Sequence, residues 1–469
     1  MTIGARKDSG LVRGLGVWAA AAVVVGAMIG QAIFLVPSQV ARSVGSAPQA
    51  LAVWIAGGIV VLFGAFCYAE LGAALPQAGG DYVYLSRGLG PVWGFLSGWT
   101  GCTLTRPATL ATIATGFSRF AGFLLPFLAD PIFAWKLSPP FLSRPLTIGL
   151  TAEQLLAAAV VGTVAAINYF GVRTAGQIQV VLTALKVTAV AVVIGVGLSL
   201  GKVSLSAVTF SSGSSYVTLG AYLTALVPVM TAYNGFQYAG VVGEEMVNPE
   251  GDIPRATILG GAAVIGLYVL ANLAYFHTLS FAEVAQSQHV ASDVVARVAG
   301  TRGAKWLTIG MMVSALGAVH IGFLTGPRLL FAMGRDGWFF AFAKRLHPKY
   351  HTPSGALLFQ TVTTILLLLT GGFEDLYSLS MFAVWGFFVL TVVALIRLRM
   401  REPELARPYR VWGYPWTPLI FAGVATAMSG NILWVRPVRS LLGLGVILLG
   451  LPFFHHWRRQ AAAAAGGAV

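Results

Sequence analysis

Three side chains that can carry charge stand deep inside otherwise apolar stretches: Lys186 in "QVVLTALKVTAVAVVIGVG", Arg106 in "LTRPATLATI" and His320 in "ALGAVHIGFL". An unpaired ammonium group in hydrocarbon costs ~3 kcal/mol or more. Lys186 must therefore pair, reach water or give up its proton. A lysine that gives it up can shuttle a proton. A lysine that keeps it can prop a broken helix by donating to its carbonyls. Both roles stay open, and they are not exclusive. Arg106 keeps its charge in essentially any protein setting, and Pro107 beside it opens the helical hydrogen-bond ladder. It is expected to face an interior cavity, near a bound solute or as a clamp on a carbonyl cluster. His320 titrates near neutral pH when exposed; on an apolar helix it is equally a hydrogen-bonded interior residue. No carboxylate joins these three in mid-span, and no HExxH, GxxxxGK[ST], GxSxG or Cys/His metal spacing occurs. No catalytic set, cofactor or metal site is expected.

Two polar interruptions give these groups a context. Residues 26–34 read "GAMIGQAIF" and residues 230–240 read "MTAYNGFQYAG". A helix built only to cross lipid would carry Leu and Ala there. Gly26 and Gly30 allow the backbone to leave helical geometry. A break frees amide hydrogens on one half-helix and carbonyl oxygens on the other. The amides form a positive pole that suits a carboxylate, and the carbonyls suit an ammonium group. Such groups are tolerated at membrane depth only where they line a cavity. A zwitterionic amino acid needs both poles a few ångströms apart. Corresponding breaks in two halves of a chain point to an inverted-repeat transporter with a midplane site. Close helix packing is the other use of such glycines.

The elements that must position these residues are membrane helices. Of 469 residues, 57% are hydrophobic and only 10% charged, with mean hydropathy +0.78. About 20 apolar residues cross a bilayer as a helix. That length rule gives about twelve spans, near 12–43, 49–74, 91–128, 149–170, 176–200, 216–243, 256–281, 304–333, 354–371, 376–398, 415–434 and 439–456. The expected fold is an all-α membrane protein. Its organisation is a tail at 1–11, five spans at 12–200, five more at 216–398, two further spans at 415–456 and a C-terminal tail at 457–469, whose low-complexity end "AAAAAGGAV" is expected to be disordered. The first span is far longer than a signal-peptide core, so it is expected to be retained. The polar breaks near 129–148, 282–303 and 334–353 read as loops.

The net charge of +14 is a topology signal. With the N-terminus inside, Arg6, Lys7, Arg13, Arg335, Lys344, Arg345, Lys349 and the cluster Arg397–Arg410 fall on the cytoplasmic side. Fewer cations, among them Arg42, Lys136, Arg144 and Lys202, fall opposite. This obeys the positive-inside rule. Both termini are expected in the cytoplasm, at the cell membrane, with lipid as a partner and nucleic acid excluded. Glu70, Glu244 and Glu245 lie near cytoplasmic span ends and read as salt-bridge partners of gates or loops. Cys67 and Cys102 fall inside spans, so no disulfide is implied.

The chain resembles the amino acid–polyamine–organocation superfamily, and within it the L-type amino acid transporters and their bacterial relatives. The resemblance spans about 12–435. It rests on "GAMIGQAIFLVP", "YAELGAALPQAGGDYVYL", "TRPATLATIATGFSRF", "INYFGVRTAGQIQVVLTALK", "YNGFQYAGVVGEEMVNPEGDIPRA", "GPRLLFAMGRDG" and "REPELARPYRVWGYPWTP" in that order. It implies a leucine-transporter-like 5+5 inverted repeat with discontinuous helices 1 and 6. It also implies a secondary transporter working by alternating access, as exchanger or proton symporter. The family's carboxylate-binding break falls on Gly30, Gln31 and Ala32. Its amine-binding carbonyls fall on Ala27 and Met28, and on Thr231, Ala232 and Asn234. Lys186 falls where sodium sits in sodium-driven relatives.

Three departures bear on the substrate. Gln31 and Ala32 replace the usual Ser and Gly of a G-S-G break. Thr231 stands where L-type members carry a bulky aromatic gate, and Asn234 replaces a small residue. A small polar amino acid is the leading expectation. A polyamine or simple amine, and a transport-inactive amino acid sensor, are the alternatives. Residues 129–148 contain no cysteine, so no disulfide-linked heavy chain is expected.

Overall fold

The computed structural model describes residues 11–137, 146–203, 218–287, 289–370, 373–435 and 437–466. The first hydrophobic span is two helices, α1 (Val17–Met28) and α2 (Ala32–Ser43), bent by 40° at the break. Helix α3 (Ala47–Ala74) follows, then the short α4 (Asp81–Gly88). The third span is α5 (Pro91–Thr100) and α6 (Arg106–Leu124), joined by a π turn at Gly101–Thr105. Helices α7 (Ala152–Tyr169) and α8 (Val172–Leu200) complete the first half. The second half opens with α9 (Leu219–Ala232), a break, and one turn of helix, α10 (Tyr238–Val241). Then come α11 (Pro249–Thr278), α12 (Phe281–Gln286), α13 (Val290–Arg335), α14 (Ser354–Thr370) and α15 (Phe373–Arg401). Helices α16 (Trp416–Val435), α17 (Pro437–Leu448) and α18 (Gly450–Gly466) close the chain.

Among the described residues eight helices are long and apolar enough to cross a membrane, or nine if the bent pair α1–α2 is one span. The other expected spans have physical reasons for failing a length test. The π turn divides the third, the break divides the sixth, and α14 is short. The inner helices α1, α3, α6, α8, α11 and α13 pack on one another, and Trp54, Tyr233 and Tyr268 are fully buried among them. The lipid-facing sides keep their apolar residues exposed, as Val181, Leu185 and Val192 on α8 do.

The structure departs from the all-α expectation in one place. The polar break after α6 holds an antiparallel hairpin, β1 (Pro131–Leu137) with β2 (Leu146–Thr151), Trp135 opposite Ile148. The sequences "PIFAWKL" and "LTIGLT" are rich in the β-branched and aromatic residues that favour strands. The break at 282–303 is not a plain loop either. Ser280 and Glu283 form a capping box that starts α12, and α13 begins at Val290 and kinks at Gly300 (φ 68°). At the C-terminal end, the expected span 439–456 is two helices. The second, α18, runs through Gly466 into the stretch expected to be disordered, because an alanine run has the highest helix propensity.

Candidate functional site

The geometry of the site starts with one glycine. Gly235 has φ +137° and lies against the other break: a β-carbon there would sit 2.8 Å from the Ala27 carbonyl carbon and from Met28 N. Such a φ is one that residues with a side chain rarely adopt. Close approach and backbone conformation therefore both demand glycine. This contact seats the unwound turn of the sixth span against the last turn of α1, at the edge of the first break. Gln237 folds over this turn, accepting from Gly235 N at 3.1 Å and donating to Asn234 Oδ1 at 2.8 Å.

The two glycines of the first break do different work. Gly26 is helical and buried in α1, and a β-carbon on it would collide with Thr183 and Gln179 of α8. It serves close packing, not unwinding. Gly30 lies in the break between Ile29 (ψ 91°) and the start of α2. A β-carbon there would meet nothing within 4 Å. Gly30 borders open space.

That space is a cavity of about 290 Å³. It brings together Ala27, Met28, Gly30, Gln31, Ala32, Arg106, Thr231, Ala232 and Asn234, with Thr105, Thr109, Gln237 and Tyr238 beside them. The start of α2 presents its first amides there, which no helix satisfies internally. Gln31 reaches across to α6, donating to Ile113 O at 3.1 Å. Met28 O already accepts from Tyr268 Oη at 2.7 Å and from Gly30 N at 3.0 Å. Both of its lone pairs are taken.

Arg106 opens α6 just after the π turn. Its Nη1 donates to Thr325 Oγ1 at 3.2 Å, and its guanidinium lies 5.5 Å from the Tyr238 ring centre. No carboxylate forms an ion pair with it among the described residues. Arg106, Gln237 and Tyr238 also border a second cavity of about 70 Å³, which contains Asp81. Asp81 accepts from Tyr68 Oη and from Thr391 Oγ1, the latter at 3.1 Å.

Lys186 and His320 do not line the cavity; they stand behind α1. Lys186 is 1% exposed. Its Nζ donates to Gly26 O at 2.7 Å and to Ile29 O at 2.9 Å, the carbonyls at the frayed end of α1. Gln179 gives its amide hydrogens to Ala22 O at 3.4 Å and Thr183 Oγ1 at 2.8 Å. Its Oε1 is left to accept from His320 Nδ1 at 2.9 Å.

The three carboxylates read as salt-bridge partners are all paired. Glu245 and Arg328 form a two-bond pair at 2.6 and 3.0 Å, both side chains 2% exposed. Glu244 pairs with Arg335 at 2.8 Å. Glu70 pairs with Arg399 and, at 3.5 Å, with Arg407. The main chain of Glu245 also accepts from Gly14 N and Leu15 N, each at 2.9 Å, so the segment before α1 is strapped beneath the sixth span. Among the described residues no group of His, Cys, Asp or Glu could hold a metal.

Gly235, Gln237, Tyr238 and Tyr268 are site residues that sequence reasoning missed. An Asn-Gly pair in mid-span is a turn signal and marks Gly235. Nothing local marks Tyr268, which reaches Met28 from 240 residues away.

Comparison with known proteins bears on this geometry. Residues 15–441 match the model of the amino acid permease family. The chain is 29% identical to the serine/threonine exchanger SteT of Bacillus subtilis over 460 residues, covering 97% of this chain and 99% of that protein. It is 31% identical to the mouse large neutral amino acids transporter small subunit 2, covering 97% of this chain and 82% of that protein. It is 30% identical to the human cystine/glutamate transporter, covering 92% and 83%.

Proposed function

The chain belongs to the amino acid permease family, and from that premise we propose that it works by alternating access around the cavity between its two breaks. It is a membrane-embedded amino acid transporter and not an enzyme. The observation that carries the mechanism is the seating of Gly235 against Ala27 and Met28. It sets the unwound turn of the sixth span against the end of α1 beside the first break, with a helix start and two helix ends facing one space.

In this reading the substrate carboxylate meets the amides of Gln31 and Ala32 at the positive start of α2, and that of Gly30 once it leaves Met28 O. The ammonium group meets the carbonyls of Ala27, Thr231 and Ala232, with Asn234 alongside. Met28 contributes its backbone position more than its carbonyl, which Tyr268 already holds. Arg106 faces the far end of the substrate. The cavity volume sits near the lower end of the ~300–1,000 Å³ of ligand pockets. Together with the serine and threonine that SteT exchanges, this favours a small polar amino acid. A guanidinium bordering the cavity disfavours a polyamine, which it would repel.

The twelve-span count, the 5+5 inverted repeat with its two added helices, and cytoplasmic termini complete the reading. The excess of cations on the N-terminal side supports that orientation. Lys186 is read as the fixed cation of the break, in the place a sodium ion would take. The absence of cysteine from residues 129–148 supports a carrier without a disulfide-linked heavy chain.

Counter-flow in proteoliposomes decides the proposal. Vesicles loaded with each standard amino acid are expected to take up labelled serine, threonine or a small homologue. No exchange with any of the twenty, with or without a pH gradient, would overturn it.

A further inference from the structure

At the end of the bundle that holds the N-terminal segment, α7 and α14 part to leave a crevice of about 780 Å³. Ala166, Phe170, Phe342, Leu358 and Val362 give it apolar walls, and Phe170 and Leu358 are exposed. Arg345 stands at its rim. The segment 337–373 around it contains no Asp or Glu but carries Lys344, Arg345 and Lys349, all exposed.

Several cations on the same side are held by carboxylates. Arg87, Arg328, Arg335 and Arg399 are each paired with a carboxylate. Among the described residues Lys344, Arg345 and Lys349 have no such pair. Their loop is also fixed in place. The Tyr169 ring lies 4.9 Å from His347, and Phe170 lies 5.5 Å from Tyr350. Thr352 Oγ1 donates to Tyr169 O at 3.0 Å.

A lipid-facing surface with no particular partner needs neither concavity nor uncompensated charge. Here an apolar crevice between two helices opens beneath three unpaired cations held on an aromatic platform. We propose that this is a binding site for an anionic phospholipid. One acyl chain fills the crevice, and the phosphate lies on Arg345 between Lys344 and Lys349. A guanidinium matches a phosphate with two parallel hydrogen bonds, and basic pockets between membrane helices hold anionic headgroups in this way.

The test uses the full-length protein, delipidated in detergent, with phosphatidylglycerol or phosphatidylcholine of matched chains added back. Native mass spectrometry reads retained lipid, and thermal melting reads stabilisation. Phosphatidylglycerol is expected to be retained preferentially and to raise the melting temperature by several degrees more than phosphatidylcholine. The triple variant K344A/R345A/K349A should lose that preference. Ala166→Trp, which fills the crevice from an exposed position, should lower retention of both lipids. Soluble glycerol phosphate should do nothing. Equal effects of the two lipids, an unchanged preference in the triple variant, or the same stabilisation by glycerol phosphate alone would each overturn the proposal. So would a dimer that Ala166→Trp dissolves, since a second copy would then be the occupant.

Discussion

Gly235, in the unwound turn of the sixth span, meets Ala27 in the last turn of α1, with no room for a methyl group between them. The carrier mechanism depends on this contact, so it is the first place to break it. Gly235→Ala imposes a φ near +137° on a residue with a β-carbon, a strain of about 1–3 kcal/mol, and adds a clash. The expected outcome is a folded, membrane-inserted protein whose counter-flow falls at least tenfold. Wild-type exchange by this variant would show that the breaks need not touch.

Removing Lys186 tests its standing as a strut. In Lys186→Met the Gly26 carbonyl loses its side-chain donor and that of Ile29 keeps only the long bond from Ser314 Oγ at 3.5 Å; a buried orphan costs about 1–3 kcal/mol. Relief of the buried charge offsets part of this. The expected result is a lower melting temperature and loss of exchange at every pH. A variant that melts normally, exchanges normally and loses only pH-driven accumulation would assign the lysine to coupling instead.

What the sequence disclosed follows physical range. The positions of the membrane helices, both breaks and the buried cations were legible because each is a local violation of an apolar pattern. The hairpin at 131–151 was not, because short strands in a polar loop carry little periodic signal beside long helices. Gly26 was read as a hinge and is a packing glycine, since only the facing Thr183 and Gln179 of α8 reveal its role. Tyr268 was invisible for the same reason: its partner, Met28 O, lies far away in the chain. Arg106 and Lys186 look alike in sequence, each a cation deep inside an apolar span. Only packing shows that one faces the cavity and the other the back of α1.

Arg106 gives a sharper prediction because it borders the cavity and no carboxylate within ion-pair distance holds it among the described residues. Losing a charged hydrogen bond to substrate costs about 1.5–3 kcal/mol, roughly ten- to hundred-fold in affinity. Arg106→Ala is therefore expected to raise KM by that factor with little change in melting temperature. Arg106→Lys should recover part of it. If the arginine only clamps Thr325, melting temperature will fall and KM will not move.

The pair Glu245–Arg328 makes a different demand. It is buried, doubly hydrogen-bonded, and set where the segment before α1 is strapped to the sixth span. Breaking one side strands a cation in a low-dielectric interior, at about 3–5 kcal/mol. Replacing both sides by apolar groups of similar volume is often nearly neutral. Glu245→Gln should therefore lower the melting temperature by many degrees, while the double variant Glu245→Leu/Arg328→Met should restore most of it. Transport separates the two roles the pair can have. If the pair is a gate that must open, the double variant will be stable yet slow, because apolar contact cannot be exchanged for hydration as the face opens. If the pair only braces the fold, stability and exchange will recover together. The gate is the expected outcome, since the same residue, Glu245, also receives the two amides of Gly14 and Leu15, and a brace alone has no need of the strap.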